Sequence, residues 1–274
     1  MINRNRVAFL LVCVMAVLLF SQSVSAQAYW LRPADEKSVS LDFFKAAFDE
    51  AEGLNFFTSM IYLSAYIPAT PELAVIFDFP MSNVDTDFED QSVFGNPYLG
   101  IEYVAPVSGG NQSIKGRLGF RPPLASDSKF AASLLGMVSM IDRFESFVPD
   151  LWTLSGGFGF QFKSEAEYGF DIDFTGDLMM PTEGGAENEL YVDYSMVMWF
   201  RPEKANLGFG LAGRLLATEG DMDFGERTVH QLGFFGGYDA GVFEPGFHFR
   251  VPLDEDLSDV LDFLWGINLT VTFP

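Results

Sequence analysis

The residues of this chain that could do chemistry are charged side chains set two positions apart. Glu167, Asp171, Asp173 and Asp177 share one face of a segment whose other face carries Tyr168, Phe170, Ile172 and Phe174, while Lys115, Arg117 and Arg121 form a basic ladder on another segment. Period-two spacing puts all members of such a ladder on one side of a β-strand. Glu102, Lys163, Asp193, Arg214, His248 and Arg250 complete the charged set. Opposed acidic and basic ladders fit two arrangements. One is a constriction whose transverse field guides small solutes, and the other is a passage filled by its own ion pairs. Asp171 and Asp173 would be neighbours about 7 Å apart, near the range for paired acid and base work, but no groove or partner motif accompanies them.

Nucleophilic and metal chemistry have little to build on. His230 and His248 are the only histidines, and Cys13 the only cysteine. Neither histidine stands in metal-ligand spacing, and no motif sets a serine beside either, so the expectation is no enzyme, no metal and no cofactor. The remote alternative is a lipid-modifying enzyme of the outer leaflet, which would need a serine within hydrogen-bond reach of His230 or His248. The glycine-rich Ser155 to Phe160 lacks the following helix that a phosphate loop requires.

The elements that must position the ladders are strands. At the end of the chain Trp265, Ile267, Leu269, Val271 and Phe273 alternate with Gly266, Asn268, Thr270 and Thr272. A terminal strand of this kind is the usual look of an outer-membrane barrel and of the signal its insertion machinery reads. Hydrophobic residues make up 49% of the chain and Phe alone numbers 30, and their alternation suits a sheet facing lipid better than a water-soluble domain. A secreted β-sandwich is the rival architecture. Period-two segments run from Asn55 to Ile67, Glu72 to Phe79, Pro97 to Val107, Ser113 to Arg121, Trp152 to Phe162, Ala166 to Leu178, Glu189 to Phe200, Asn206 to Ala217, Thr228 to Tyr238, Gly241 to Val251 and Asp262 to Phe273.

Short connections alternate strictly with longer acidic ones, as expected for periplasmic turns and outer loops. The final strand then ends in the periplasm and the strand at Asn55 starts outside, so an ascending strand must precede it. Ser38 to Phe48 supplies it, with a competing helical reading of Leu41, Phe44, Ala47 and Phe48. The fold class is all-β: a transmembrane antiparallel up-and-down β-barrel of about twelve strands, with a helix in one long outer loop.

Residues 1–26 read as a signal peptide for Sec-type export to the outer membrane: Arg4 and Arg6 precede an apolar run from Val7 to Phe20, and small residues lead to Ala26. That run is shorter than the ~20 residues of a spanning helix. Residues 27–37 read as a periplasmic tail and 38–274 as the barrel. The formal charge of −22, more negative still once Arg4 and Arg6 are removed, argues against nucleic acid as a partner. The acids gather in the longer loops, at Asp85, Asp87, Glu89 and Asp90, at Glu183, Glu187 and Glu189, at Glu219, Asp221, Asp223 and Glu226, and at Asp254, Glu255, Asp256 and Asp259. These are solvated loops, or bridges through divalent cations to lipopolysaccharide. The expected partners are outer-membrane lipids and lipopolysaccharide, the barrel-insertion machinery and a small solute.

The longest connection, Pro122 to Asp150, carries Phe130, Leu134, Met137, Val138, Ile141 and Phe144 at helical spacing, with Asp127 or Ser128 as N-cap. Such a helix would fold into the barrel mouth as a lid or pack on the outer leaflet. Its methionines and aromatics suit apolar or aromatic solutes.

Phe94, Gly95, Asn96, Pro97, Tyr98, Leu99 and Gly100, followed by Ile101, Glu102 and Tyr103, resemble a segment of the transporter-like outer-membrane proteins named for the meta pathway of phenol degradation. The resemblance implies an outer-membrane barrel passing small hydrophobic or aromatic compounds, with no catalytic residues. The expected function is a pore or facilitator for small solutes, and the alternative is a closed structural or surface-interaction barrel with an ion-paired lumen.

Overall fold

A computed structural model describes residues 37–48, 58–86, 90–107, 111–182, 186–218 and 223–273. The expected signal peptide and nearly all of the tail lie outside these residues, as do Asp87, Glu89, Glu183, Glu219 and Asp221. The strands are β1 (Ser38–Phe48), β2 (Ser59–Pro68), β3 (Leu73–Asp85), β4 (Asp90–Phe94), β5 (Tyr98–Pro106), β6 (Gln112–Arg121), β7 (Leu151–Lys163), β8 (Tyr168–Pro181), β9 (Glu189–Phe200), β10 (Ala205–Leu216), β11 (Thr228–Tyr238), β12 (Phe243–Pro252) and β13 (Leu261–Thr272). Two helices, α1 (Phe130–Ser139) and α2 (Glu255–Ser258), lie in connections.

Each strand from β5 to β13 pairs antiparallel with the next, and β13 pairs back onto β1 from Ser38 opposite Thr272 to Phe48 opposite Leu261. β1 in turn lies against β2, which closes the sheet. Ser38–Phe48 is therefore a strand, as the count required, and the closed sheet replaces the sandwich alternative. Closure pairs the backbone all the way round, the condition for crossing a bilayer with strands.

β4 and β5 form one stave of the twelve. Both pair with β3, Asp90–Phe94 opposite Met81–Asp85 and Tyr98–Tyr103 opposite Leu73–Asp78, with Gly95, Asn96 and Pro97 as a break between them. Pro80 faces this break. Its carbonyl accepts from Gly95 N at 2.9 Å, and its missing N–H points to the same side, where no ladder bond is required. β3 consequently runs six residues past the Phe79 end expected from alternation.

Side chains alternate between lipid face and lumen. Along β7, Trp152, Leu154 and Phe158 are exposed while Thr153, Ser155 and Gln161 are buried. Ile101, Leu118, Phe209, Phe234, Phe247 and Ile267 continue the exposed apolar girdle on other strands.

Candidate functional site: a charged lumen and the loop that enters it

Strand register brings the lumen charges together in pairs. Glu102 stands opposite Arg117, Gln161 opposite Asp171, Ser155 opposite Asp177 and Asp193 opposite Arg214. Each pair is bonded: Arg117 Nε donates to Glu102 at 3.1 Å, Gln161 to Asp171 at 3.2 Å, Ser155 to Asp177 at 2.5 Å, and Arg214 Nε to Asp193 at 2.5 Å. Lys115 crosses one strand further. It lies opposite Gly159, and Gly159 lies opposite Asp173. The missing side chain at Gly159 leaves the space that the Asp173 carboxylate takes. Lys115 Nζ thus reaches Asp171 at 2.5 Å and Asp173 at 3.2 Å.

Other inward glycines serve lumen side chains in the same way. A β-carbon at Gly208 would collide with Phe235, at Gly157 with Thr175, at Gly169 with Trp199 and at Gly266 with His248.

The loop between β6 and β7 supplies the other half of the site. After α1, a 3-10 segment, Ile141–Ser146, enters the barrel, and Arg143, Glu145 and Ser146 in it are buried. Arg214 of β10 donates to Glu145 at 2.8 Å, and Glu145 also pairs with Arg121 of β6 at 3.3 Å. Arg121 lies 3.6 Å from Asp78 of β3, and Asp78 pairs with Arg143 at 3.2 Å. Asp142, 3.7 Å from Arg143, pairs with Arg250 of β12 at 3.0 Å. The result is a chain of alternating sign across the lumen, in the order Arg214, Glu145, Arg121, Asp78, Arg143, Asp142, Arg250. Its arginines also lie over aromatic rings. Arg143 is 4.0 Å from the Tyr62 centroid, and 5.1 Å separates Arg121 from Tyr98, Arg214 from Phe144 and Arg250 from Phe44. Such contacts favour a cation most where water is excluded. Burial pulls the Arg143 guanidinium toward neutrality, but Tyr62, Asp78 and Asp142 outweigh it, and its pKa lies above the ordinary arginine value.

Asn96 fixes this segment to the wall. Its amide nitrogen donates to the carbonyls of Glu145 at 2.9 Å and Val148 at 2.7 Å, and its side-chain oxygen accepts from Leu124 N at 2.6 Å and Ala125 N at 2.8 Å. The backbone N–H of Asn96 donates to the Ser146 carbonyl at 2.6 Å. A β-carbon at Gly95 would collide with that same carbonyl oxygen, so glycine is required by the close approach. The Gly95-Asn96 pair thus holds both ends of the loop.

Several expected site residues fall elsewhere. Glu167 is not in the lumen: it occupies the β7–β8 turn in the left-handed region at φ 63°, exposed, where its carboxylate accepts from Glu203 N. Lys163 is exposed at the end of β7. In the loop, Phe130 and Leu134 are 68% and 43% exposed, while Ala132, Leu135 and Gly136 are buried. Met137, Val138, Ile141 and Phe144 are half-buried. The small face of α1 packs against the protein because Phe147 sits over Gly136, where no side chain could fit. His248 is inward and stacked on Phe44 at 4.3 Å. His230 holds Asp254 at 2.9 Å through Nδ1 and the Tyr194 hydroxyl at 2.6 Å through Nε2, with no serine on either nitrogen. Among the described residues no group of three His, Cys, Asp or Glu could hold a metal ion.

Asp78, Asn96, Asp142, Arg143 and Glu145 were not among the expected site residues. A signal for the last three exists: three charged residues interrupt an apolar helical pattern, and their signs oppose those of the lumen partners they meet.

No family model and no curated protein matches the chain. Solved structures do. An outer membrane channel from Pseudomonas putida F1 superposes with a TM-score of 0.61 at 8% identity, over 90% of this chain and 99% of that one. The NanC porin superposes with a TM-score of 0.57 at 5% identity, over 85% of this chain and 99% of that one. The chain therefore has the fold of these proteins, a closed twelve-stranded β-barrel of the outer membrane.

Proposed function

We propose that the protein is an outer-membrane pore or facilitator for small solutes, held closed by the loop segment Ile141–Phe147. The observation that carries this reading is the alternating chain from Arg214 to Arg250, in which three loop charges bridge four walls of the barrel. A closure made of ion pairs differs from an apolar one. Buried pairs roughly break even against their hydration, so water entering the lumen recovers much of what opening loses. The short-turn end faces the periplasm in this reading. The acids of the longer connections, Glu187, Asp256 and Asp259 among them, meet lipopolysaccharide through divalent cations. The insertion machinery recognises the terminal strand.

The hydrophobic or aromatic solutes implied by the resemblance at Phe94–Tyr103 find little free lining. Phe44, Tyr62 and Phe147 contact one another at 5.8 and 6.1 Å, so their ring faces are already used. A closed structural barrel is the second reading, favoured by the seating of Phe235 and Trp199 over inward glycines. Planar-bilayer conductance of the refolded chain, before and after deletion of residues 128–147, separates the two. The pore reading predicts larger or more frequent openings after deletion; silence from both proteins, with β-structure verified by circular dichroism, would sink it in favour of the closed barrel.

A further inference from the structure

Behind the loop segment, against the β8–β11 wall, lies a cavity of about 50 Å³ roofed by Ile141 and Asp142. At ~12–15 Å³ per water it holds three or four waters, or a solute carrying a similar number of hydroxyl groups. Its charges are already engaged. Arg214 is shared among Glu145, Asp177 and Asp193, Arg117 is paired with Glu102, and Asp173 with Lys115. Three of its neutral groups are not. Thr175, Ser195 and Gln231 line the cavity, and among the described residues none of the three side chains has a hydrogen-bond partner. Ser195 stands opposite Ala212, and Ala212 opposite Gln231. Ser195 and Gln231 are therefore two strand spacings apart, about 9–10 Å, with the methyl group of Ala212 between them.

An ion entering this chamber would have to break a saturated pair, whereas a neutral solute meets unspent donors and acceptors. We propose that the chamber is a binding step for small neutral polyhydroxylated solutes and that the pore discriminates against ions there. This rests on the pore reading above and narrows its solute class.

The test is osmotic swelling of proteoliposomes containing the Glu145→Gln variant, which loosens the loop, in erythritol, potassium succinate or lysine hydrochloride, with KCl conductance measured on the same preparation. Erythritol should enter at least tenfold faster than either ion. Gln231→Leu should lower the ratio of erythritol flux to chloride conductance about five- to tenfold, the worth of one hydrogen bond. Equal passage of all three solutes, or an unchanged ratio in the leucine variant, with conductance present, would overturn the solute assignment and leave the pore standing. No flux and no conductance from a folded barrel would overturn both.

Discussion

Glu145 is the point at which the closure is most open to a single change. Its carboxylate lies 3.3 Å from Arg121 Nε and 2.8 Å from Arg214 Nη1, and it is buried. Glu145→Gln keeps the shape but removes the charge from both contacts. Arg121 retains Asp78 at 3.6 Å, and Arg214 retains Asp177 at 3.1 Å and Asp193 at 2.5 Å, so neither guanidinium is stranded in the wall. Hydrogen bonds to charged groups are worth about 1.5–3 kcal/mol each. Weakening two of them, while the amide oxygen still accepts, should cost the docked loop about 1.5–3 kcal/mol in total. At 1.4 kcal/mol per tenfold, the closed-to-open ratio falls roughly 10- to 10²-fold. The assay is single-channel recording in a planar bilayer at fixed salt, read as open probability. An open probability equal to that of the unchanged protein would refute the claim that these ion pairs hold the loop.

Asn96→Ala removes four side-chain hydrogen bonds at about 1 kcal/mol each. Amide exchange across residues 122–150 should accelerate at least a hundredfold while β7–β13 keep their protection; unchanged protection in the loop would count against the anchor. Lys115→Met leaves Asp171 and Asp173 without their shared cation, and equilibrium unfolding in urea should show a loss of about 3 kcal/mol, whereas a loss below about 1 kcal/mol would mean that water already screens the pair. Tyr194→Phe deletes one hydrogen bond on the half-exposed outer face of β9, so it should lower stability by about 1 kcal/mol and leave open probability alone. A change in gating would place the Tyr194, His230 and Asp254 contact in the closure.

The wall of this barrel was legible in the sequence because lipid on one side and a polar lumen on the other force every strand into period two. Inward placement of Lys115, Arg117, Asp171, Asp173 and Arg214 follows from that alternation alone. The extension of β3 beyond Phe79 was hidden by Pro80, which reads as a strand end until the break at Gly95-Asn96-Pro97 is seen beside it. Alternation misplaces Glu167 because the turn ends two residues later than the pattern suggests, with β8 beginning at Tyr168, and the left-handed backbone there carries it out of the sheet.

The loop was harder to read. Helical periodicity marks where α1 lies, but the apolar spacing drew attention to Phe130 and Leu134 rather than to Asp142, Arg143 and Glu145. Those three find partners at Asp78, Arg121, Arg214 and Arg250, far away in the chain, and local periodicity carries no information about contacts of that range. The Phe94–Gly100 segment was visible as a motif, and its physical role as the anchor of the loop emerged only with the hydrogen bonds of Asn96.

If opposite charges on loop and wall keep the lumen shut, exchanging the members of one pair should restore what reversing either one alone disrupts. Asp142 and Arg250 meet at 3.0 Å, and conductance would be recorded for Asp142→Arg, Arg250→Asp and the double exchange. Each single reversal should raise open probability, and the double exchange should bring it back toward that of the unchanged protein. Single reversals that stay as closed as the parent, or a double exchange as open as either single, would contradict the account.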